Sequence, residues 1–172
     1  MAKAKKSQKE NKPTSRSAVY AGTFDPITNG HVDLIQRALS HFDEIVVVVA
    51  HSRKKSPVFD AKTRKKLIED CFKGDPRVRV DIDSGLLVNY ARKHKIPVIL
   101  RGLRAVSDFE YEFQMALMNR KMCPELETFF LMASGRYFFV NSTLIKEVIS
   151  HGGDVNELVP SHVEKKLRET LC

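Results

Sequence analysis

The chain has 172 residues, of which 42% are hydrophobic, and its formal net charge is +8; this length is enough for one domain with a sizeable core. No apolar run approaches the roughly 20 residues that span a bilayer, and no hydrophobic segment follows the N-terminal lysines, so we expect no membrane association, no signal peptide and a cytoplasmic location. The three cysteines are widely spaced and form no CxxC pair, which argues against a disulfide framework or a structural zinc site.

Most of the positive charge lies at the N-terminus. Residues 1–16 contain six basic residues and one acidic residue, whereas residues 17–172 carry a net charge of only +3. The segment lacks large apolar side chains and is therefore predicted to be a disordered basic tail. We interpret it as a solubilising extension, with a nucleic-acid-binding arm as the alternative, and expect no nucleic-acid partner.

Strand-like and helix-like segments alternate along the rest of the chain. The run Ile45–Ala50 is apolar throughout, as expected for a central strand of a parallel sheet. In chain order the pattern predicts strands at 18–21, 45–50, 78–81, 97–100 and 128–132, and helices at about 30–41, 61–73, 86–94, 107–121, 142–150 and 161–171. We therefore predict one α/β domain over residues 17–172, with a Rossmann-like, doubly wound sheet of five parallel strands.

The helix predicted from residue 107 begins with a capping-box pattern, SDFE, and is apolar on two opposite faces. One face carries Phe109, Phe113, Ala116 and Leu117, and the other carries Tyr111, Met115, Met118 and Met122. The first face can cover the sheet. For the second we favour another subunit as the partner over the rest of this domain.

The exit of the first predicted strand has the features of an anion site. Gly22 permits tight backbone geometry, Pro26 stiffens the loop, and the Asn-Gly pair at 29–30 lies where a helix cap is expected. His31 then falls in the first helical turn, where free backbone N–H groups and the helix dipole attract anions. We expect this turn to bind phosphate.

The other strand exits carry hydroxyls, glycines and cations, and ligands of open parallel sheets bind beyond the carboxyl ends of the strands. These segments are 53–57 (RKKSP), 101–104 (RGLR), 134–136 (SGR) and 141–143 (NST). The sequence contains no GxxxxGK[ST], GxGxxG or HExxH motif, no activated nucleophile with a paired base and no close carboxylate pair. Such a site favours phosphoryl or nucleotidyl transfer, in which positioning and charge stabilisation supply most of the catalysis.

Structural explanations remain open for several of these residues. Arg101 and Arg104 could pair with Asp108 or Glu112, because arginines beside a buried strand are costly unless paired. The segment 141–143 could simply cap the helix that follows it. A cationic loop, or a histidine in a first helical turn, is also common on protein surfaces.

Two blocks of sequence resemble a known family. The segment 22–31 (GTFDPITNGH) resembles the (H/T)xGH signature of the nucleotidyltransferase superfamily. The segments 101–106 (RGLRAV), 108–112 (DFEYE) and 118–120 (MNR) are similar to the second block of bacterial phosphopantetheine adenylyltransferases. The resemblance covers about residues 18–171, and the two blocks together are highly specific.

This resemblance implies transfer of the adenylyl group of ATP to 4′-phosphopantetheine, giving dephospho-coenzyme A and pyrophosphate. It also implies Mg²⁺ bound mainly through the ATP phosphates with no protein metal site, coenzyme A as a possible feedback ligand, and a homohexamer. The implied ATP-binding residues are Thr23, Phe24, His31, Gly102, Arg104, Asp108, Glu112, Tyr137, Ser142 and Thr143. The implied phosphopantetheine-binding residues are Thr23, Lys55, Leu87, Arg101 and Asn119.

By the same resemblance, the catalytic residues are His31, Thr23, Lys55 and Arg104, with His31 stabilising charge at the α-phosphorus and Lys55 binding the attacking phosphate. The family usually has a run of serines where this chain has Asn141-Ser142-Thr143, and arginine is also common at the position of Lys146. An enzyme of the same superfamily with a different acceptor remains the alternative.

Overall fold

The computed structural model describes residues 16–50 and 57–172. Residues 1–15 of the predicted tail, and the loop that contains Lys55, lie outside the described residues. Among the described residues, no helix is both long enough and apolar enough to cross a bilayer.

Five parallel strands form one sheet, which confirms the predicted α/β fold. The strands are β1 (Ser17–Gly22), β2 (Glu44–Ala50), β3 (Val78–Asp83), β4 (Val98–Leu103) and β5 (Glu127–Met132). The helices are α1 (Asn29–Ala38), α2 (Ala61–Cys71), α3 (Leu87–Lys93), α4 (Val106–Met122), α5 (Ser142–Ser150) and α6 (Ser161–Leu171). The strand order is β3-β2-β1-β4-β5, so the direction of winding reverses between β1 and β4, where doubly wound folds bind their ligands.

The register shows how a cleft opens at this reversal. Strand β1 pairs with β2 along its whole length, from Ser17 to Gly22. It pairs with β4 only at Ala18 and Val19. Beyond Val19 the two strands are no longer paired, so the carboxyl end of β1 is accessible on that side.

Helices cover both faces of the sheet. Ala18 and Tyr20 of β1 belong to the core cluster that contains residues of α1, α2, α5 and α6, whereas Val19 and Ile99 belong to the cluster around α3. Strand β2 is buried at five consecutive positions, which confirms its prediction as a central strand.

Several predicted boundaries differ from the structure. Strand β4 extends to Leu103, so Arg101 and Gly102 lie within it and not after it, because β5 continues to pair with them. The capping box predicted at Ser107 is wrong: α4 begins one residue earlier, with Ala105 as its N-cap and no side-chain cap. A capping box does form at the start of α1, between Thr28 and His31.

The prediction that one apolar face of α4 covers the sheet is also wrong. From residue 112 onward, the least exposed positions of the helix are Glu112, Ala116 and Asn119, which recur at helical spacing and are mostly polar. On either side of this stripe the apolar residues are exposed, as shown by Leu117 at 53% and Met118 at 55%. The stripe is polar because the sheet presents Arg101 here, whose cation Glu112 binds.

Candidate active site

A cleft of about 580 Å³ lies at the carboxyl ends of β1 and β4, between α1, α4 and α5. It brings together ten of the residues predicted for the site, which are Thr23, Phe24, His31, Arg101, Gly102, Arg104, Glu112, Tyr137, Ser142 and Thr143. Asp108 adjoins the cleft through its ion pair with Arg104. The structure does not bring Leu87 or Asn119 to the lining.

His31 is oriented by the backbone of its own helix. Thr28 precedes α1 as the N-cap, and its backbone N–H donates to Nδ1 of His31 over 3.0 Å. Because Nδ1 accepts this bond, the neutral imidazole carries its proton on Nε2. Burial, together with the nearby charge of Arg104, lowers the pKa of His31 to about 4. At neutral pH, His31 is therefore an uncharged hydrogen-bond donor in the wall of the cleft.

Arg101 connects three elements around the cleft. Its Nε donates to Oε2 of Glu112 over 2.6 Å, its Nη2 binds the other carboxylate oxygen, and its Nη1 donates over 2.9 Å to the carbonyl oxygen of Ala21. Burial alone would lower the pKa of Arg101, but the hydrogen bond and the charge of Glu112 raise it above its ordinary value. The structural alternative for Arg101, an ion pair with Glu112, is thus confirmed, and the pair bridges β1, β4 and α4.

Arg104 makes a similar but more open pair. Its Nε lies 2.9 Å from Oδ2 of Asp108, and its Nη2 lies 3.3 Å from Oδ1. Both side chains are partly exposed, at 40% for Arg104 and 28% for Asp108. An exposed pair of this kind contributes little to stability, so the Arg104 guanidinium can exchange its partner for a phosphate at small cost.

Asp25 is an organising residue that the sequence did not single out. Its carboxylate is buried and accepts hydrogen bonds from the N–H groups of Val58 and Phe59, each over 3.0 Å, and from Nζ of Lys146 over 2.7 Å. Burial acts to raise the pKa of Asp25, but these hydrogen bonds and the charge of Lys146 lower it below its usual range. The only local signal was an acidic residue between Phe24 and Pro26 in a strand-exit loop.

The start of α5 is fastened to the same loop. Ser142, which was predicted to bind ATP, donates its hydroxyl to the carbonyl oxygen of Pro26 over 2.8 Å. Asn141 accepts the N–H of Leu144 over 2.9 Å and is the N-cap of the helix, which confirms the capping role proposed for this segment. Thr143 remains exposed at the lining of the cleft.

Two glycines allow the walls of the cleft to approach one another. A Cβ at Gly102 would lie 2.4 Å from Cδ1 of Leu34, which belongs to the same helix as His31. A Cβ at Gly30 would lie 3.2 Å from Cβ of Tyr137. A side chain at position 102 would therefore require the buried Leu34 side chain to shift where α1 packs against β4.

The arrangement can hold a phosphate-bearing ligand by several kinds of group. The N-termini of α1 and α5 both face the cleft and attract anions, and Arg101, Arg104 and Lys146 contribute cations. Within the described residues, no group of three His, Cys, Asp or Glu side chains could hold a metal ion. This chemistry suits charge stabilisation during phosphoryl or nucleotidyl transfer.

Comparisons with known proteins show which family the chain belongs to. The family model of cytidylyltransferase-like proteins matches residues 19–148. A phosphopantetheine adenylyltransferase of Anaeromyxobacter sp. (strain K) is 53% identical over 157 residues, covering 91% of this chain and 96% of the relative. Another, from Thermotoga neapolitana, is 54% identical over 154 residues, covering 90% of this chain and 96% of the relative.

A solved structure of low sequence identity shares the fold. A crystal structure assigned to a nicotinate-nucleotide adenylyltransferase from Vibrio parahaemolyticus superposes with a TM-score of 0.61, at 19% identity, over 90% of this chain and 99% of that one. This likeness shows a common architecture, whereas the curated relatives match more than half of their residues identically over nearly their whole length. The chain therefore belongs to the phosphopantetheine adenylyltransferase family of nucleotidyltransferases.

Proposed function

We propose that this chain transfers the adenylyl group of ATP to 4′-phosphopantetheine, releasing pyrophosphate and forming dephospho-coenzyme A. The observation that carries the proposal is the uncharged His31 donor, held by Thr28 in a cleft flanked by two helix N-termini. Membership of the family supports the choice of both substrates.

The transfer proceeds by direct in-line attack of the acceptor phosphate on the α-phosphorus of ATP. The acceptor oxygen is already ionised at neutral pH, so no general base is required. His31 Nε2–H, the N–H groups of the first turn of α1 and the Arg104 guanidinium bind the charge that develops on the phosphoryl oxygens. Arg101 acts on the acceptor side, and its pair with Glu112 holds it in place.

Mg²⁺ accompanies ATP in this proposal and is held mainly by the phosphates. The cleft carboxylates Asp25 and Glu112 are each bound to a cation of the protein, which fits an ion that is not held by a protein ligand set. When bound, Mg²⁺ neutralises charge on the β- and γ-phosphates.

We also propose assembly as a homohexamer. The exposed apolar residues on both sides of the Glu112–Asn119 stripe of α4 support a subunit interface there, because exposed apolar patches of this kind mark interaction surfaces. Coenzyme A as a feedback ligand and a cytoplasmic location are further proposals, supported by the family.

Pyrophosphate release tests the reaction. The full chain is incubated with ATP and 4′-phosphopantetheine, with and without Mg²⁺, and in parallel with nicotinate mononucleotide as the competing acceptor. We expect release only with 4′-phosphopantetheine and Mg²⁺. Release with nicotinate mononucleotide alone would contradict the proposal and favour a different acceptor.

The His31→Ala variant tests the role of the donor. Loss of one preorganised donor should lower kcat by roughly 10²-fold, while the affinity for ATP changes much less. Turnover close to that of the unchanged protein would refute the role of His31.

A further inference from the structure

Arg64 on α2 is an unusual member of the core. Only 2% of the surface of Arg64 is exposed, although its side chain carries a permanent charge. Its three hydrogen bonds within the described residues all go to backbone carbonyls, and none goes to a carboxylate. Burial lowers the pKa of Arg64, and the more distant charges of Asp25 and Asp60 only partly offset this effect. Because burying a cation in this way costs free energy, packing alone does not explain why an arginine occupies this position.

The three carbonyls belong to backbone segments that meet at the cleft side of the sheet. Arg64 Nη1 donates to Thr23, directly after β1, over 2.5 Å and to Ala50, the last residue of β2, over 3.3 Å. Its Nε donates to Phe59, just before α2, over 3.0 Å. A guanidinium is planar and presents its donors in a rigid fork, so one side chain fixes the positions of these three segments relative to one another.

The bond to Thr23 determines the orientation of one peptide group in the wall of the cleft. A trans peptide unit is planar, and its C=O and N–H point in opposite directions. Since the Thr23 carbonyl points at the buried guanidinium, the N–H of Phe24 points away from it, and both residues line the cleft. Phe24 has a φ of 48°, a left-handed conformation that an aromatic residue rarely adopts and that its surroundings must hold.

We propose that Arg64 is a positioning residue for adenylyl transfer, which holds the Thr23 carbonyl in the core and thereby presents the N–H of Phe24 to a phosphate of ATP. The proposal rests on the proposed function for its substrate. It predicts that Arg64 affects recognition of the phosphates and not of the nucleoside.

The test compares Arg64→Met with a control on the same helix, Ile68→Ala. Methionine fills similar space without donating hydrogen bonds, whereas Ile68 is fully buried and its truncation destabilises the core without removing a bond to a strand exit. Binding of ATP and of adenosine is measured by calorimetry on the full chain, together with kcat, KM and thermal unfolding. We expect Arg64→Met to weaken ATP binding about tenfold and to lower kcat by roughly 10²-fold, while adenosine binding stays unchanged.

The Ile68→Ala control should unfold at a lower temperature but retain its ATP affinity within about twofold. Equal weakening of ATP and adenosine in Arg64→Met, or an equal loss of ATP affinity in Ile68→Ala, would overturn the proposal. If Arg64→Met does not fold, Arg64→Lys is tested instead. Its single ammonium group cannot reproduce the three hydrogen bonds of the guanidinium, so ATP binding should still weaken. Unchanged ATP affinity and kcat in the folded Arg64→Lys variant would overturn the proposal. If the unchanged protein binds ATP but transfers nothing to 4′-phosphopantetheine, the proposed acceptor fails while the comparison of ATP with adenosine still decides the role of Arg64.

Discussion

The neutral state of His31 can be tested through the pH dependence of stability. Burial and the charge of Arg104 lower its pKa to about 4 in the folded protein, whereas an unfolded histidine has a pKa of about 6.5. Between these values the unfolded chain binds a proton that the folded chain does not, so the free energy of unfolding rises with pH. The contribution of His31 is fully present above about pH 6.5 and is lost progressively as the pH falls toward 4.

The expected size follows from the two pKa values. Between pH 7 and pH 5, protonation of the unfolded state should remove about 2 kcal/mol of stability through His31 alone. The matched perturbation is His31→Gln, which keeps an uncharged side chain with an amide donor but cannot take up a proton. The free energy of unfolding is measured by urea titration at pH 8, 7 and 5 for both proteins, and the difference between the two removes the contribution of all other titrating groups.

This difference should shrink by about 2 kcal/mol from pH 7 to pH 5 and stay nearly constant from pH 8 to pH 7, where His31 is neutral in both states. A change below about 0.5 kcal/mol would mean that folded His31 binds its proton like an ordinary histidine. That result would refute the lowering of the His31 pKa by burial and by the charge of Arg104.

Three further predictions concern packing, charge and assembly. Gly102→Ala should lower the free energy of unfolding by roughly 1–3 kcal/mol and reduce turnover, because the new Cβ would lie 2.4 Å from Leu34 on α1. Thermal unfolding measures the first effect and pyrophosphate release the second. An unchanged melting temperature would contradict the contact. Asp25→Asn should destabilise the protein at pH 7 by roughly 2–4 kcal/mol, because it leaves the partly buried cation of Lys146 without its anion. The destabilisation should diminish at pH values low enough to protonate Asp25 in the unchanged protein. Equal destabilisation at all pH values would argue against the ion pair. Leu117→Glu should dissociate the proposed hexamer, since Leu117 is 53% exposed on α4; sedimentation velocity measures the assembly, and an unchanged mass would place the interface elsewhere.

The alternation of strands and helices could be predicted from the sequence because it depends on local patterns. The apolar run of β2 is contiguous in the sequence, and the buried residues of α5 and of α6 lie four positions apart, which is helical spacing. The strand, the loop and the helix start around His31 were also visible, since these residues are contiguous. The precise ends of β4 and α4 were not, because β5 extends the pairing of β4 and the first turn of α4 lacks a side-chain cap.

The partners of the site residues could be listed from the sequence but not chosen. Arg101 could have paired with Asp108 or Glu112, and the structure selects Glu112 because α4 turns that side chain toward β4. Asp25 and Lys146 are separated by more than a hundred residues, and no periodicity links them. Their contact depends on the docking of α5 against the loop after β1.

The sequence by itself determined the α/β class, the turn from strand to helix that contains His31 and the resemblance that identifies the family, because each of these rests on contiguous residues. Only the tertiary structure decided that β1 and β4 part beyond Val19 to open the cleft, that His31 is uncharged within it, and that the buried Arg64 holds the strand exits together. The physical reason is that strand neighbours, burial and backbone hydrogen bonds between distant segments exist only once the chain has folded.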